Sequence, residues 1–211
     1  DATFGSPCLA FAYTQVGQEN SFGWPLMEKG LTDQMKVIAT LARDGKARVE
    51  TLGESARWFR ERFPQTPATA VVAMKDWKHE GRASVWYNSR YYRVNLFWDK
   101  SGFRVRDIHL FDERYPERYL KERVTTHACT YDTLPVLDGF NWSTKEQLAG
   151  IRPVWWPEGR ESGPKALRAG EPAASEADPD TLVITMPLET GGRLEVHCEL
   201  STLTFVITGE P

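Results

Sequence analysis

"ASVWYNSRYYRVNLFWDKSGFRVRDIHLF", residues 83–111, decides how this chain is read. Three runs within it, 83–88, 91–99 and 103–111, are rich in Val, Tyr, Trp and Phe, residue types that suit a pleated, half-buried surface. "NSR" (88–90) and "DKSG" (99–102) separate them with turn residues, so the runs read as antiparallel hairpins. Alternation puts Tyr92, Val94, Leu96 and Trp98 on one face and Tyr91, Arg93, Asn95 and Phe97 on the other. Aromatics occur on both faces, so this sheet is expected to be covered on both sides.

The same grammar extends outward. "TAVVAM" (69–74), "VTTHACTY" (124–131), "IRPVWW" (151–156), "TLVITMPL" (181–188), "RLEVHCEL" (193–200) and "LTFVITG" (203–209) are further strand-like runs, and "ETGGR" joins two of them as a hairpin. Many short strands with turn signals predict an antiparallel β-sandwich over 69–211. "PEGRESGPKALRAGEPAASEADPD", between Trp156 and Thr181, is rich in Pro, Gly, Ala and charge, and predicts a mobile surface loop at about 157–180.

Residues 1–68 read differently. "LAFAYTQ" (9–15) has strand character. "LTDQMKVIATLARDG" (31–45) places Leu31, Met35, Ile38 and Leu41 at helical spacing and closes on Gly45. "ARVETL" (47–52) alternates, and "TLGE" (51–54) has the form of a capping box opening a helix that ends at Pro64. The order is βαβα, which builds parallel sheets with crossover helices. The predicted fold class is therefore α+β: a short βαβα segment, the tail of a barrel-like αβ domain, followed by an antiparallel β-sandwich.

Composition narrows the function. The 211 residues carry a net charge of −3, so no nucleic-acid partner is expected from bulk charge. No apolar run is long enough for a membrane span. Eight Trp, seven Tyr and ten Phe fit the packing of a sheet protein, the commoner case, and also a protein that stacks aromatics on sugars. Cys8, Cys129 and Cys198 are far apart and form no CxxC pattern, so they are expected as free thiols, with one disulfide as the alternative. The chain opens at "DATFGSPC" without Met, which points to processing from something longer, and an extracytoplasmic location, periplasmic or secreted, is expected.

"GQENSFGW" (17–24) with "GLTDQMKVIATLARDGKARVETLGESARWFRERFPQTPATA" (30–70) resembles the closing stretch of a polysaccharide-deacetylase-like or glycoside-hydrolase-like (β/α) barrel. "VWYNSRYYRVNLFWDKSGFRVRDIHLFDERY" (85–115) resembles the β-sandwich appended to bacterial barrels of that type. The likeness covers about residues 10–120. It implies the C-terminal part of a carbohydrate-active protein that hydrolyses or deacetylates polysaccharide. The metal-binding Asp and His motifs of the deacetylases have no match here, so the resemblance places most of the active site elsewhere in a longer chain. No cofactor follows from it.

Candidate site residues come from the loop leaving the first strand. Glu19 is the candidate acid or base, Gln15 and Asn20 could bind sugar hydroxyls, and Trp24 could stack on a ring. A lone Glu lacks the second carboxylate that glycoside hydrolysis needs. Trp155 and Trp156 face opposite ways if they lie in a strand, so at least one is a candidate ligand contact. Trp86, Tyr91 and Trp98 form another possible stacking surface. Asp107 and His109 share a face with Phe103 and Val105 under strict alternation. They are expected as a polar pair satisfied by each other or across strands, with Arg93 or Arg106 near, and no third metal ligand is at useful spacing. His79, His127 and His197 read as isolated histidines. The alternative function is a non-catalytic glycan- or protein-binding or structural sandwich module.

Overall fold

The computed structural model describes residues 5–16, 23–128, 130, 132–156 and 163–209. Among the described residues, two α-helices and eleven strands run in the order α1 (Trp24–Arg43), α2 (Leu52–Arg62), β1 (Thr69–Ala73), β2 (Ala83–Asn88), β3 (Tyr92–Asp99), β4 (Gly102–Leu110), β5 (Leu134–Asp138), β6 (Val154–Trp155), β7 (Lys165–Ala166), β8 (Ala173–Asp178), β9 (Thr181–Pro187), β10 (Arg193–Cys198) and β11 (Leu203–Thr208). The chain divides into two compact units, residues 13–65 and residues 1–12 with 66–211. The class is mixed α+β with antiparallel sheets.

The larger unit is a sandwich of two meanders. One sheet has the order β1-β2-β3-β4-β5 and the other β11-β10-β9-β8, and every strand pairing is antiparallel. Alternate residues of β2 and β3 (Val85, Tyr87, Tyr92, Val94, Leu96) and of β9 and β10 (Leu182, Ile184, Met186, Leu194, Val196, Cys198) form one buried cluster. Burial of this apolar surface is the main force holding the sheets face to face. Two tyrosines join the layers with their polar ends. The Tyr87 hydroxyl donates to the Asp180 carbonyl (2.6 Å), and the Tyr92 hydroxyl lies 2.8 Å from the carbonyls of both Glu199 and Thr202. Burial pushes the Tyr87 and Tyr92 hydroxyls far above the usual phenol range, so both stay protonated donors. The Cys198 thiol is likewise pushed up to about 12 by burial, and Cys8 and Cys198 are free. Cys129 lies outside the described residues.

The strand expected at 9–15 is not present. Leu9 makes one isolated antiparallel bridge to Thr69, and residues 11–16 have no regular structure. A run of apolar residues becomes a strand only where a neighbour supplies ladder partners, and after Ala10 none is offered. Residues 8–10 instead lie along the free edge of β1, with Ala70 N–H donating to Cys8 O (3.0 Å) and Ala10 N–H to Ala68 O (3.3 Å). The strand expected at 47–52 is also absent, for a local reason. Gly45, at φ +68°, closes α1 with its N–H on Ala42 O, while Lys46 N–H returns to Leu41 O. Thr51 then caps α2, its hydroxyl accepting from Glu54 N–H and its own N–H donating to the Glu54 carboxylate. Residues 47–50, left between the two caps, form no strand. Neither helix contains a fully buried side chain.

The segment read as a mobile loop at 157–180 carries β7 and β8 from Lys165 onward, and Leu167 is buried in the core. β8 is an edge strand, so its Ala, Ser and Glu residues need only one apolar contact, which Ala174 makes. "LPVLD" at 134–138 forms β5, whereas 124–128 forms no strand. Among the described residues, no helix is long and apolar enough to cross a membrane.

The tyrosine tethers give a direct test. Tyr92→Phe keeps the ring and removes the bond to the β10–β11 turn, and should cost about 1 kcal/mol in urea unfolding with an unchanged m-value. An unchanged midpoint would mean that the hydroxyl does not tie the sheets.

Candidate functional site

The outer face of the five-stranded sheet, away from the second sheet, is where the polar side chains concentrate. Two bulges set it up. Asn95 pairs with Asp107 and Leu96 with Val105, leaving Arg106 as an extra residue in β4. Ile108 pairs with Leu137 and His109 with Pro135, leaving Val136 as an extra residue in β5. Directly paired residues share a face. Val105 therefore stays inside with Leu96, while Asp107 and His109 turn outward beside Asn95 and Arg93. The expectation that these two share a face with Phe103 and Val105 is corrected: the bulge reverses the phase of the strand between them.

On this face Asp107 (fully buried) accepts from Arg93 Nε through Oδ1 (2.9 Å). Arg93 Nη2 lies 3.2 Å from His109 Nδ1, and that nitrogen lies 3.1 Å from the same Asp107 oxygen. One ring nitrogen cannot accept from arginine and donate to the carboxylate together. With the proton on Nε2, Nδ1 accepts from Arg93 and the N–H faces Asp138 Oδ2, 3.9 Å away. Asp138 is held by the backbone N–H groups of Phe140 (3.1 Å) and Asn141 (2.9 Å) and by the Asn141 amide (2.6 Å). The Asn141 backbone N–H is the main reason its carboxyl lies below the usual range, with burial opposing it. The Asn95 amide donates to Ser84 Oγ and Val85 O (3.0 Å each), and Arg106 Nε donates to Asn95 Oδ1 (2.7 Å). Asp107 Oδ2 is buried with no hydrogen-bond partner.

A loop then folds over part of this face. Phe140 stacks on Trp86 (centroids 6.1 Å apart, planes within 6°), and the Arg106 guanidinium lies 4.1 Å from the Phe97 ring centre and 4.4 Å from that of Phe140. Such cation–ring contacts are worth about 0.5–2 kcal/mol each. Ile151 pairs through both backbone groups with Val105. Phe140 and Trp142 remain 53% and 52% exposed.

The arrangement is a charge-compensated network with the apolar body of a sheet beneath it. Among the described residues, no group of His, Cys, Asp and Glu is arranged to hold a metal. The other candidates are dispersed. Glu19 and Asn20 lie outside the described residues. Gln15 is exposed in the irregular segment, and Trp24 is the half-exposed first residue of α1, ahead of Pro25. Trp155 packs against the core with Lys165 Nζ 5.8 Å from its ring, while Trp156 is half exposed. Trp86, Tyr91 and Trp98 form no common surface, because Trp98 is buried on the inner face against Phe103. His197 bonds Glu195 (3.0 Å). Phe140 and Trp142 were not read as candidates from sequence: "LDGFNWS" carries no periodicity, and its one signal is the Asp-Gly turn. No family model, curated protein or solved structure matches the chain.

Two measurements follow. Arg93→Met strands a fully buried carboxylate and should cost about 3 kcal/mol, whereas Asp107→Asn leaves Arg93, itself 37% exposed, free to reach water and should cost about 1 kcal/mol. Equal losses in denaturant titrations would refute the asymmetry. Asp138 has a depressed folded pKa, so its contribution is present above the unfolded value of about 3.9 and is lost as pH falls through the folded value. Asp138→Asn should therefore unfold with a flatter pH dependence below about pH 4 than the parent.

Proposed function

We propose that this chain is a supporting β-sandwich module of a carbohydrate-active protein, and that its glycan contact is the aromatic surface formed by Trp86, Phe140 and Trp142. The observation that carries the reading is the loop after β5. It stacks half-exposed Phe140 on Trp86 over a sheet face whose charged groups are largely paired with one another, and carries half-exposed Trp142 two residues further on. Rings fixed by packing lose little freedom when a sugar stacks on them, which suits a binding surface. The wider activity, hydrolysis or deacetylation of a polysaccharide, rests on the sequence pattern of residues 10–120. Glu19 would be its rim acid, flanked by Gln15, Asn20 and Trp24. Among the described residues the carboxylates near the aromatic surface are committed to Arg93 and to the Asn141 amides, which favours support and binding over chemistry.

Affinity electrophoresis of the chain in gels containing neutral or acidic polysaccharides tests this. Retardation is expected for at least one polymer, and Trp142→Ala should weaken it about tenfold, the effect of losing roughly 1.4 kcal/mol. Trp156→Ala should change it less. If no polymer retards the parent chain, or if Trp142→Ala is as retarded as the parent, the proposal fails.

A further inference from the structure

The outer sheet face has a second region that the Arg93–Asp107–His109 network does not reach. Arg104 lies on β4 opposite Phe97, with its guanidinium 5.2 Å from that ring. Its side chain is 7% exposed. Its Nε and Nη1 are buried with no hydrogen-bond partner. The nearest carboxylate is Asp99, whose Oδ2 is 4.0 Å from Nη2, beyond hydrogen-bond distance. The other Asp99 oxygen is already taken by the backbone N–H of Ser101 (2.8 Å) and by its hydroxyl. A buried guanidinium with idle donors costs several kcal/mol unless something accepts from it.

The surroundings add positive charge. Arg106 stands two residues along β4 with Nε on Asn95, clamped between Phe97 and Phe140. Arg152 borders the region, its Nη2 donating to Leu148 O (3.1 Å). Arg152 repels the Arg104 charge, and Arg104 repels that of Arg106. Asp99 is attracted by Arg104 and Arg152, so among the described residues three guanidinium groups share Asp99 on this side, and Asp107 reaches Arg106 from the other. The segment through Gly150 crosses the stem of Arg104 closely. A Cβ on Gly150 would come within 3.0 Å of Arg104 Cδ, and φ there is +152°, so glycine lets this segment close over the arginine.

We propose that Arg104, Arg106 and Arg152 form a binding site for a small oxyanion, a carboxylate or a phosphate group, which takes up one of the idle donors of Arg104, Nε or Nη1, together with Nη2. Nη2 with either Nε or Nη1 makes a planar fork that matches a carboxylate or a phosphate with two parallel bonds. Arg106 adds charge from a fixed position, and Arg152 adds a donor that can exchange a backbone carbonyl for the ligand. The site does not depend on the glycan reading above. It would serve an acidic sugar as readily as a phosphorylated metabolite.

The test is thermal unfolding of the whole chain in sodium phosphate, in sodium D-galacturonate and in sodium chloride at matched ionic strength. The parent should show a saturable rise in Tm with phosphate, galacturonate or both, above the chloride control. Phosphate alone would assign a phosphoryl ligand, and galacturonate alone a sugar carboxylate. Arg104→Met should abolish the increment while raising Tm in chloride, because it removes a buried charge whose carboxylate neighbour, Asp99, lies beyond hydrogen-bond distance. Arg104→Lys keeps the charge but loses the fork, and should weaken the response about tenfold; it also serves if the Met variant does not fold. Arg152→Ala should weaken the response less. The proposal is overturned if neither anion shifts the parent beyond chloride, or if the Arg104 variants respond as the parent does.

Discussion

Between Val105 and Asp107 the fourth strand carries one residue more than the strand beside it, and the placement of charge in the sandwich follows from that insertion. Strict alternation would carry Phe103, Val105, Asp107 and His109 all to the interior. There a carboxylate and an imidazole would face an apolar layer made of residues such as Leu182, Ile184 and Val196. Burying such an ion without its partners costs several kcal/mol. The extra residue, Arg106, sends Asp107 and His109 to the other face, where Arg93 on the neighbouring strand binds both. The bulge is itself tied down: the Arg106 carbonyl accepts from Gly139 N–H (2.8 Å). A Cβ on Gly139 would lie 2.3 Å from that carbonyl oxygen, so the close approach requires glycine.

A second insertion, Val136 in β5, repeats the device one strand further out. Leu137 stays opposite Ile108 toward the core, and Asp138 comes opposite Asp107 on the polar face. Two carboxylates facing each other across a ladder would repel. Here each has its own donors, Arg93 for Asp107 and the turn amides at 140–141 for Asp138, with His109 between. The turn that neutralises Asp138 also begins the loop that brings Phe140 onto Trp86. Charge compensation and the presentation of the aromatic surface are thus one structural event.

The hairpins at 83–111 were legible because turn residues and alternation agreed. The capping box at Thr51–Glu54 was legible because its bonds are local. The proximity of Arg93 to Asp107 and His109 followed from cross-strand distance, although the face assigned to the pair was wrong. A bulge leaves no mark in hydrophobic periodicity when the inserted residue is polar, as Arg106 is. The strands expected at 9–15 and 47–52 failed for a different reason. Their composition was suitable, but pairing is a property of neighbours, and the second of them lies between the caps at Gly45 and Thr51. β8 was missed because an edge strand with one apolar contact reads as loop. The site around Arg104 was invisible, since a sequence shows that an arginine is present and not whether its donors are met.

Arg93 and Arg104 lie on adjacent strands and the same sheet face, yet they meet opposite conditions. Arg93 is over a third exposed and spends its donors on Asp107 and His109, so its charge is both solvated and paired. Arg104 is nearly enclosed, stacked beside Phe97, and its closest carboxylate is engaged with Ser101. If the enclosed arginine served packing alone, an aliphatic side chain of similar length would fill the space without the cost of desolvating a charge. Phe97 and Gly150 both shape their surroundings to admit a guanidinium, and Arg106 and Arg152 raise the local potential instead of relieving it. The crowding of Arg106 and Arg152 on Arg104 opposes stability in the free protein and favours it once an anion is present, which is how a binding site differs from a structural ion pair.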